Sequence, residues 1–132
     1  MILTAGFLVA AGEALFEAWS KDIAPEGRMD IVVSEVERLP RSSVIRIDIR
    51  TVGSSVGSSF FLLCSVRNLA KVRGAGPWIA MLEEHPAKKH SIIAFLASQD
   101  EDPAAADERL RAKPATKVIE LEQFAPICDR MK

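Results

Sequence analysis

The sequence predicts an α+β domain built on a mainly antiparallel sheet of about five strands, with helices packed on one face. Three observations predict it. Residues 44–52 alternate, with Ile45, Ile47, Ile49 and Thr51 on one side and Val44, Arg46, Asp48, Arg50 and Val52 on the other, the period-two signature of a half-buried strand. Residues 60–73 carry Leu62, Ser65, Val66, Leu69 and Val72 at helical spacing and stop at Gly74, with Gly76 and Pro77 behind, the expected C-terminal signal of a helix. Residues 78–82 and 91–97 are short continuous apolar runs, read as central strands covered on both sides.

The remaining elements follow in order. Residues 2–11 are apolar and uncharged, and from Ala11 the residues Leu15, Ala18 and Trp19 share a side opposite Glu13, Glu17 and Ser20. That spacing predicts a first helix ending near Lys21, where Pro25 and Gly27 prevent continuation. Residues 29–39 are rich in β-branched side chains and predict a strand, joined to 44–52 by the turn at Leu39-Pro40-Arg41-Ser42. The small-residue stretch 53–59 reads as a loop whose hydroxyls cap the second helix. Asp102-Pro103 opens a third helix, with aspartate as cap and proline in the first turn. Its apolar content is alanines plus Leu110, so it is expected on the surface. Residues 116–121 predict a last strand, which gives the order α-ββ-α-ββ-α-β in one domain spanning 1–132.

Composition narrows the function classes. The chain has 132 residues, and its 17 basic side chains nearly cancel 18 acidic ones, so no net field draws in nucleic acid or an anionic membrane. Cys64 and Cys128 allow at most one disulfide. The apolar amino-terminal run lacks a preceding basic region and is interrupted by Glu13 and Glu17, which favours a docked helix over a targeting remnant and no membrane span. A cytoplasmic location is favoured, with the periplasm as the alternative if that run is a targeting remnant.

Within residues 44–82, the helix ends on Leu69-Ala70-Lys71, with Gly74 beyond it and Trp78 leading the next strand. This region resembles small bacterial envelope proteins of lipoprotein type and unknown function. The resemblance implies an antiparallel sheet with a helix packed on it, and no activity. Those proteins carry a lipidation cysteine after the amino-terminal apolar segment; here Glu13 follows Leu8-Val9-Ala10-Ala11-Gly12.

Candidate sites are few. Gly53-Ser54-Ser55-Val56-Gly57 matches G-x-S-x-G between a strand and a helix, the pattern that exposes a nucleophilic serine in hydrolases. An acid and a histidine would have to come from Glu83 or Glu84 and His85 or His90, all in one short loop, so capping serines are the better reading. Ser54, Ser55 and Ser58, at a helix N-terminus, are candidate contacts for a small anion, with Arg46 and Arg50 of the neighbouring strand as candidate partners. Ion pairing on a solvated strand is the plainer account of the two arginines. His85 and His90 lie beside Lys88 and Lys89, which repel a cation, so no metal site is expected. Cys64 shares a helical flank with Arg67, Asn68 and Lys71, which would favour a reactive thiolate; a buried, inert thiol is the competing account.

The sequence therefore points to a soluble, non-enzymatic binding or protein-interaction domain that needs no cofactor and takes an unknown protein or a small anionic ligand. Its apolar first helix, with Phe7, Leu8 and Leu15, offers a self-complementary homo-oligomer contact. The alternative is a small enzyme or redox-sensitive protein using Cys64 or the loop 53–59.

Overall fold

A computed structural model describes residues 15–131. The elements run β1 (Glu17–Trp19), α1 (Ser20–Ile23), β2 (Asp30–Leu39), β3 (Ser42–Thr51), α2 (Ser55–Val72), β4 (Trp78–Glu83), β5 (His90–Phe95), α3 (Pro103–Ala106), a 3-10 turn (Glu108–Leu110), β6 (Lys117–Glu120), a second 3-10 turn (Leu121–Phe124) and α4 (Ala125–Arg130). The fold is α+β, and the six strands form one antiparallel sheet in the order β1-β2-β3-β5-β4-β6. Strands β3 and β4 both run antiparallel to β5, so they point the same way with β5 between them. Helix α2 is the crossover that makes this split β-α-β arrangement possible.

The α2 face holds most of the core. Phe61, Val66, Leu69 and Ala70 of α2 meet Ile31, Val33, Ile45, Ile79, Met81, Ile93 and Phe95 of the sheet, and Leu121 closes the cluster. Leu62 and Ile47 border this cluster, as the alternation of residues 44–52 requires. Ile49, at the far end of β3, runs past the helix and is exposed. On the opposite face Val44, Ala80, Leu82, Ile92, Ala94 and Leu96 pack with Leu110. The segment 103–110 is thus a cap on the second face, not a surface helix; Ala104 and Leu110 are buried in it. It is also not one helix: four α-helical residues give way to a 3-10 turn at Asp107, whose carboxylate receives the Arg109 N–H. Asp102 caps α3 through the Ala104 N–H, with Pro103 in the first turn, as expected.

Among the described residues the expected first helix gives way to a strand at Glu17–Trp19. Residues 2–14 of that helix, with Phe7 and Leu8, lie outside the described residues, and Glu17–Trp19 is a strand pairing with Val32–Ser34. Phe16 and Ala18 turn to the α2 core while Glu17 and Trp19 turn outward. The free edge of β2 supplies a hydrogen-bonding partner that outweighs local helical spacing. The sixth strand is this one, and the oligomer contact proposed for a helix here loses its helical basis over Glu17–Trp19.

Helix α2 starts five residues earlier than expected. Ser54, not the later serines, is its cap, accepting the Gly57 N–H at 2.9 Å. Gly53 before it sits at φ +77°, and a Cβ there would come within 3.1 Å of the Met29 amide nitrogen, so the turn from β3 into α2 requires glycine. At the other end Gly74, at φ +68°, ends the helix with its N–H on the Lys71 carbonyl.

Two helical faces need correction. Val72, grouped by its spacing with the apolar side of the helix, is 62% exposed, while Arg67, grouped with the polar flank of Asn68 and Lys71, is 6% exposed. The carboxy-terminal segment lies over the Arg67 flank. Glu122 accepts from the guanidinium at 3.1 and 3.2 Å, and Asp129 stands 3.8 Å away. The Phe60 and Phe124 rings meet at 6.4 Å and a disulfide joins Cys64 to Cys128.

Candidate functional site

Two guanidinium groups, Arg41 and Arg73, stand at a cleft of about 360 Å³. Three chain segments wall it: Pro40 and Arg41 from the β2–β3 turn, Arg73 to Gly76 from the end of α2, and Phe95 to Ala97 from the end of β5. Arg73 points inward because it lies about 40° around the helix from Leu69, nearer the buried stripe than Val72 at about 60° on the other side. Its guanidinium carbon sits 5.0 Å from the centroid of the Phe95 ring, a cation–π distance.

Arg73 is held on four sides. Nη1 donates to the Ser42 carbonyl (2.9 Å) and to Ser43 Oγ (2.7 Å), and Nη2 donates to the carbonyls of Leu39 (2.6 Å) and Pro40 (3.1 Å). Its Nε–H has no hydrogen-bond partner among the described residues. The nearest carboxylate, Glu35, is 3.7 Å away with its side chain fully buried. Glu35 is already engaged: Arg38 grips it through Nε (2.9 Å) and Nη2 (2.6 Å), Ser43 donates at 2.7 Å and the Phe16 N–H at 3.1 Å. Burial opposes ionisation of Glu35, but these hydrogen bonds outweigh it and hold the carboxyl below its ordinary value. Arg73 is pushed the other way from stability of its charge. Burial first, and then repulsion from Arg38, lower its pKa, with Glu35 only partly compensating.

Arg41 forms the outer wall. Nη1 donates to Glu101 Oε2 at 2.9 Å, Nη2 donates to Glu101 Oε1, and Nη2 also donates to the Phe95 carbonyl at 2.9 Å. The fork from Arg41, and then the Ala97 N–H at 2.7 Å, hold the Glu101 carboxyl down at about 2. Around the cleft three arginines, 38, 41 and 73, face two carboxylates, 35 and 101.

The candidates taken from the sequence lie elsewhere. Arg46 and Arg50 project from the sheet face away from α2, paired with Asp48 at 3.0 Å and Asp30 at 3.8 Å. They cannot join Ser54, Ser55 and Ser58 in one site, because neighbours of Ile45 and Ile47 on a strand point to the opposite face. Ser54 is spent on its cap, Ser58 Oγ donates to the Ser55 carbonyl, and Ser55 is the exposed first residue of α2. The G-x-S-x-G match is therefore a capped helix start. His90 Nδ1 lies 2.9 Å from the Lys88 carbonyl in the turn before β5, and among the described residues no group of three His, Cys, Asp or Glu side chains could hold a metal.

Cys64 is not a reactive thiol in this structure. Its sulfur is bonded to that of Cys128, both residues are buried, and the Met131 sulfur packs 3.7 Å away. The flanking Arg67, expected to favour a thiolate, is instead consumed by Glu122 and Asp129, whose proximity raises its pKa. No helix among the described residues is long and apolar enough to cross a membrane.

No protein-family model, curated protein or solved structure matches the chain.

Proposed function

We propose that this chain is a non-enzymatic binding domain whose ligand is a small anion held in the cleft between Arg41 and Arg73. The observation that carries this reading is Arg73: a guanidinium with 10% of its side chain exposed, lining an open cleft, whose nearest carboxylate among the described residues is already gripped by Arg38. A desolvated cation without full compensation marks a functional site more often than a structural one. An incoming anion would offset the burial of the Arg73 charge and supply an acceptor for its Nε–H. Binding is favoured over chemistry because the residues lining the cleft bring no hydroxyl, thiol or imidazole to it, and the carboxylate at its edge, Glu101, is engaged by Arg41.

The Cys64–Cys128 disulfide supports an oxidising compartment, where such bonds persist. The likeness of residues 44–82 to envelope proteins points the same way and supports a periplasmic setting in a bacterium.

The test is titration of inorganic phosphate, pyrophosphate and succinate at low ionic strength, followed by backbone amide shifts. Saturable shifts confined to 73–76 and 95–97 are expected, weakening by roughly tenfold in Arg73→Gln, the loss of about one charged contact. Because Arg73 also ties down the β2–β3 turn, Arg41→Gln serves as the second variant. Unchanged spectra with all three probes would overturn the reading.

A further inference from the structure

The two arginines of the cleft differ in what it takes to free them. Arg73 is fixed by four acceptors, and the carboxylate nearest to it is fully buried. Arg41 has 39% of its side chain exposed, and its partner Glu101 has 21%. Glu101 sits in a tight surface turn, its N–H on the Ser98 carbonyl and its carboxylate folded back onto the Ala97 N–H. An ion pair open to water on both sides is worth little and exchanges readily. A carboxylate presented bidentately to an arginine fork also has the shape of the group such a fork recognises in a ligand.

We infer that Glu101 is a resident anion, occupying the Arg41 fork at the edge of the cleft until a ligand carboxylate or phosphate displaces it. This rests on the reading of the cleft as an anion site. The ligand group takes the Arg41 fork, Glu101 swings into solvent, and the Ala97 N–H loses its acceptor at the same moment. Occupancy is thereby coupled to the conformation of the turn 97–101. Glu101 acts as a positioning and selectivity residue: only a group that bonds the fork better than a carboxylate already in place gains entry. Weak monoanions are excluded by competition, not by size.

The experiment compares wild-type protein with Glu101→Gln, an isosteric change at a partly exposed position. Succinate and inorganic phosphate are titrated separately, so that the preferred anion chemistry is read from the same data. Glu101→Gln is expected to bind the preferred probe about fivefold more tightly, the modest gain of removing a partly exposed competing ion pair. In the wild type the Ala97 amide should move on binding; in Glu101→Gln it should begin displaced and move little. A third readout needs no variant: the Arg41 fork holds the Glu101 carboxyl below the ordinary carboxylate range in the free protein, and saturation with phosphate, still anionic there, should raise it toward that range. If Glu101→Gln binds equally or more weakly, and the Glu101 titration is unmoved by ligand, Glu101 is part of the scaffold and this inference falls while the cleft reading stands. If neither probe shifts the cleft amides in either protein, both fall.

Discussion

The two faces of the sheet are closed by different means. Under α2 the core is bulk: Phe61, Leu69, Ile45, Ile79 and Ile93 interlock with essentially no exposure. On the opposite face the centre is small, with Ala80 and Ala94 paired across β4 and β5, and the cover is only four helical residues and a 3-10 turn. What fixes this short cover is polar. Ser42 Oγ donates to Asp107 Oδ2 at 2.7 Å, and Arg109 reaches both oxygens of Asp107 and, at 2.8 Å, Glu37. Small side chains let a short segment approach closely, and a buried hydrogen-bonded carboxylate then specifies where it sits. Beyond the cover this face carries Trp19 and Arg50, both on Asp30, and the Arg46–Asp48 ion pair.

The comparison can be broken most directly with one leucine from each face. Leu69→Ala should fall in the upper part of the ~2–5 kcal/mol range for buried leucines, because α2 cannot collapse onto the cavity. Leu110→Ala should fall in the lower part, since the short cover can settle. Urea unfolding measures both, and equal costs would show that the second face is packed as rigidly as the first.

A pH series sharpens the polar half of the comparison. Hydrogen bonds from Arg109 above all, opposed by burial and assisted by Ser42, lower the Asp107 pKa from 3.8 to about 2. A depressed carboxylate stabilises the fold fully above its unfolded value and loses that contribution as pH falls through its folded value. The expected contribution is about 2 kcal/mol at neutral pH, disappearing between roughly pH 4 and 2. The stability gap between wild type and Asp107→Asn should close over that window; a gap that persists at pH 2 would place the effect in packing.

The smallest effect belongs to the open part of the second face. A double-mutant cycle on Arg46 and Asp48, both well exposed, should give a coupling below about 0.5 kcal/mol. A larger value would mean that this surface is organised and not merely solvated.

The alternation of Ile45, Ile47 and Ile49, the Gly74 stop and the Asp102-Pro103 start are local signals, and each was legible in the sequence. Glu17–Trp19 was not, because its strand pairing depends on an exposed edge of β2 that no window around Trp19 contains. Arg67 was misplaced for a related reason: its partners Glu122 and Asp129 lie more than fifty positions away and arrive with the carboxy-terminal segment. The cleft was hidden more thoroughly. Arg73 reads as an ordinary basic residue at a helix end, and its partners are mostly backbone carbonyls of Leu39, Pro40 and Ser42, which carry no side-chain signature. The one available hint was its place beside Gly74 on the Leu69 side of the helix. The cysteines were counted correctly as one disulfide at most, yet pairing was undecidable without the fold that brings Cys128 onto α2.

The position of β5 between β3 and β4 bears on how the chain reaches this structure. Strands β1, β2 and β3 pair in chain order and can form as a meander. Strand β4 pairs with its successor β5 as a local hairpin and with β6 on its other side, so β4, β5 and β6 form a second unit. The two halves of the sheet meet along one seam, where Ser42 pairs with Ala94 and Arg46 with His90. Zipping that seam closes a loop of about fifty residues, with an entropic cost borne before the contacts that reward it. The folding barrier is therefore expected at the β3–β5 seam. Substitutions at Val44 or Ile92 should slow folding, whereas those on the edge strands β1 and β6 should chiefly hasten unfolding.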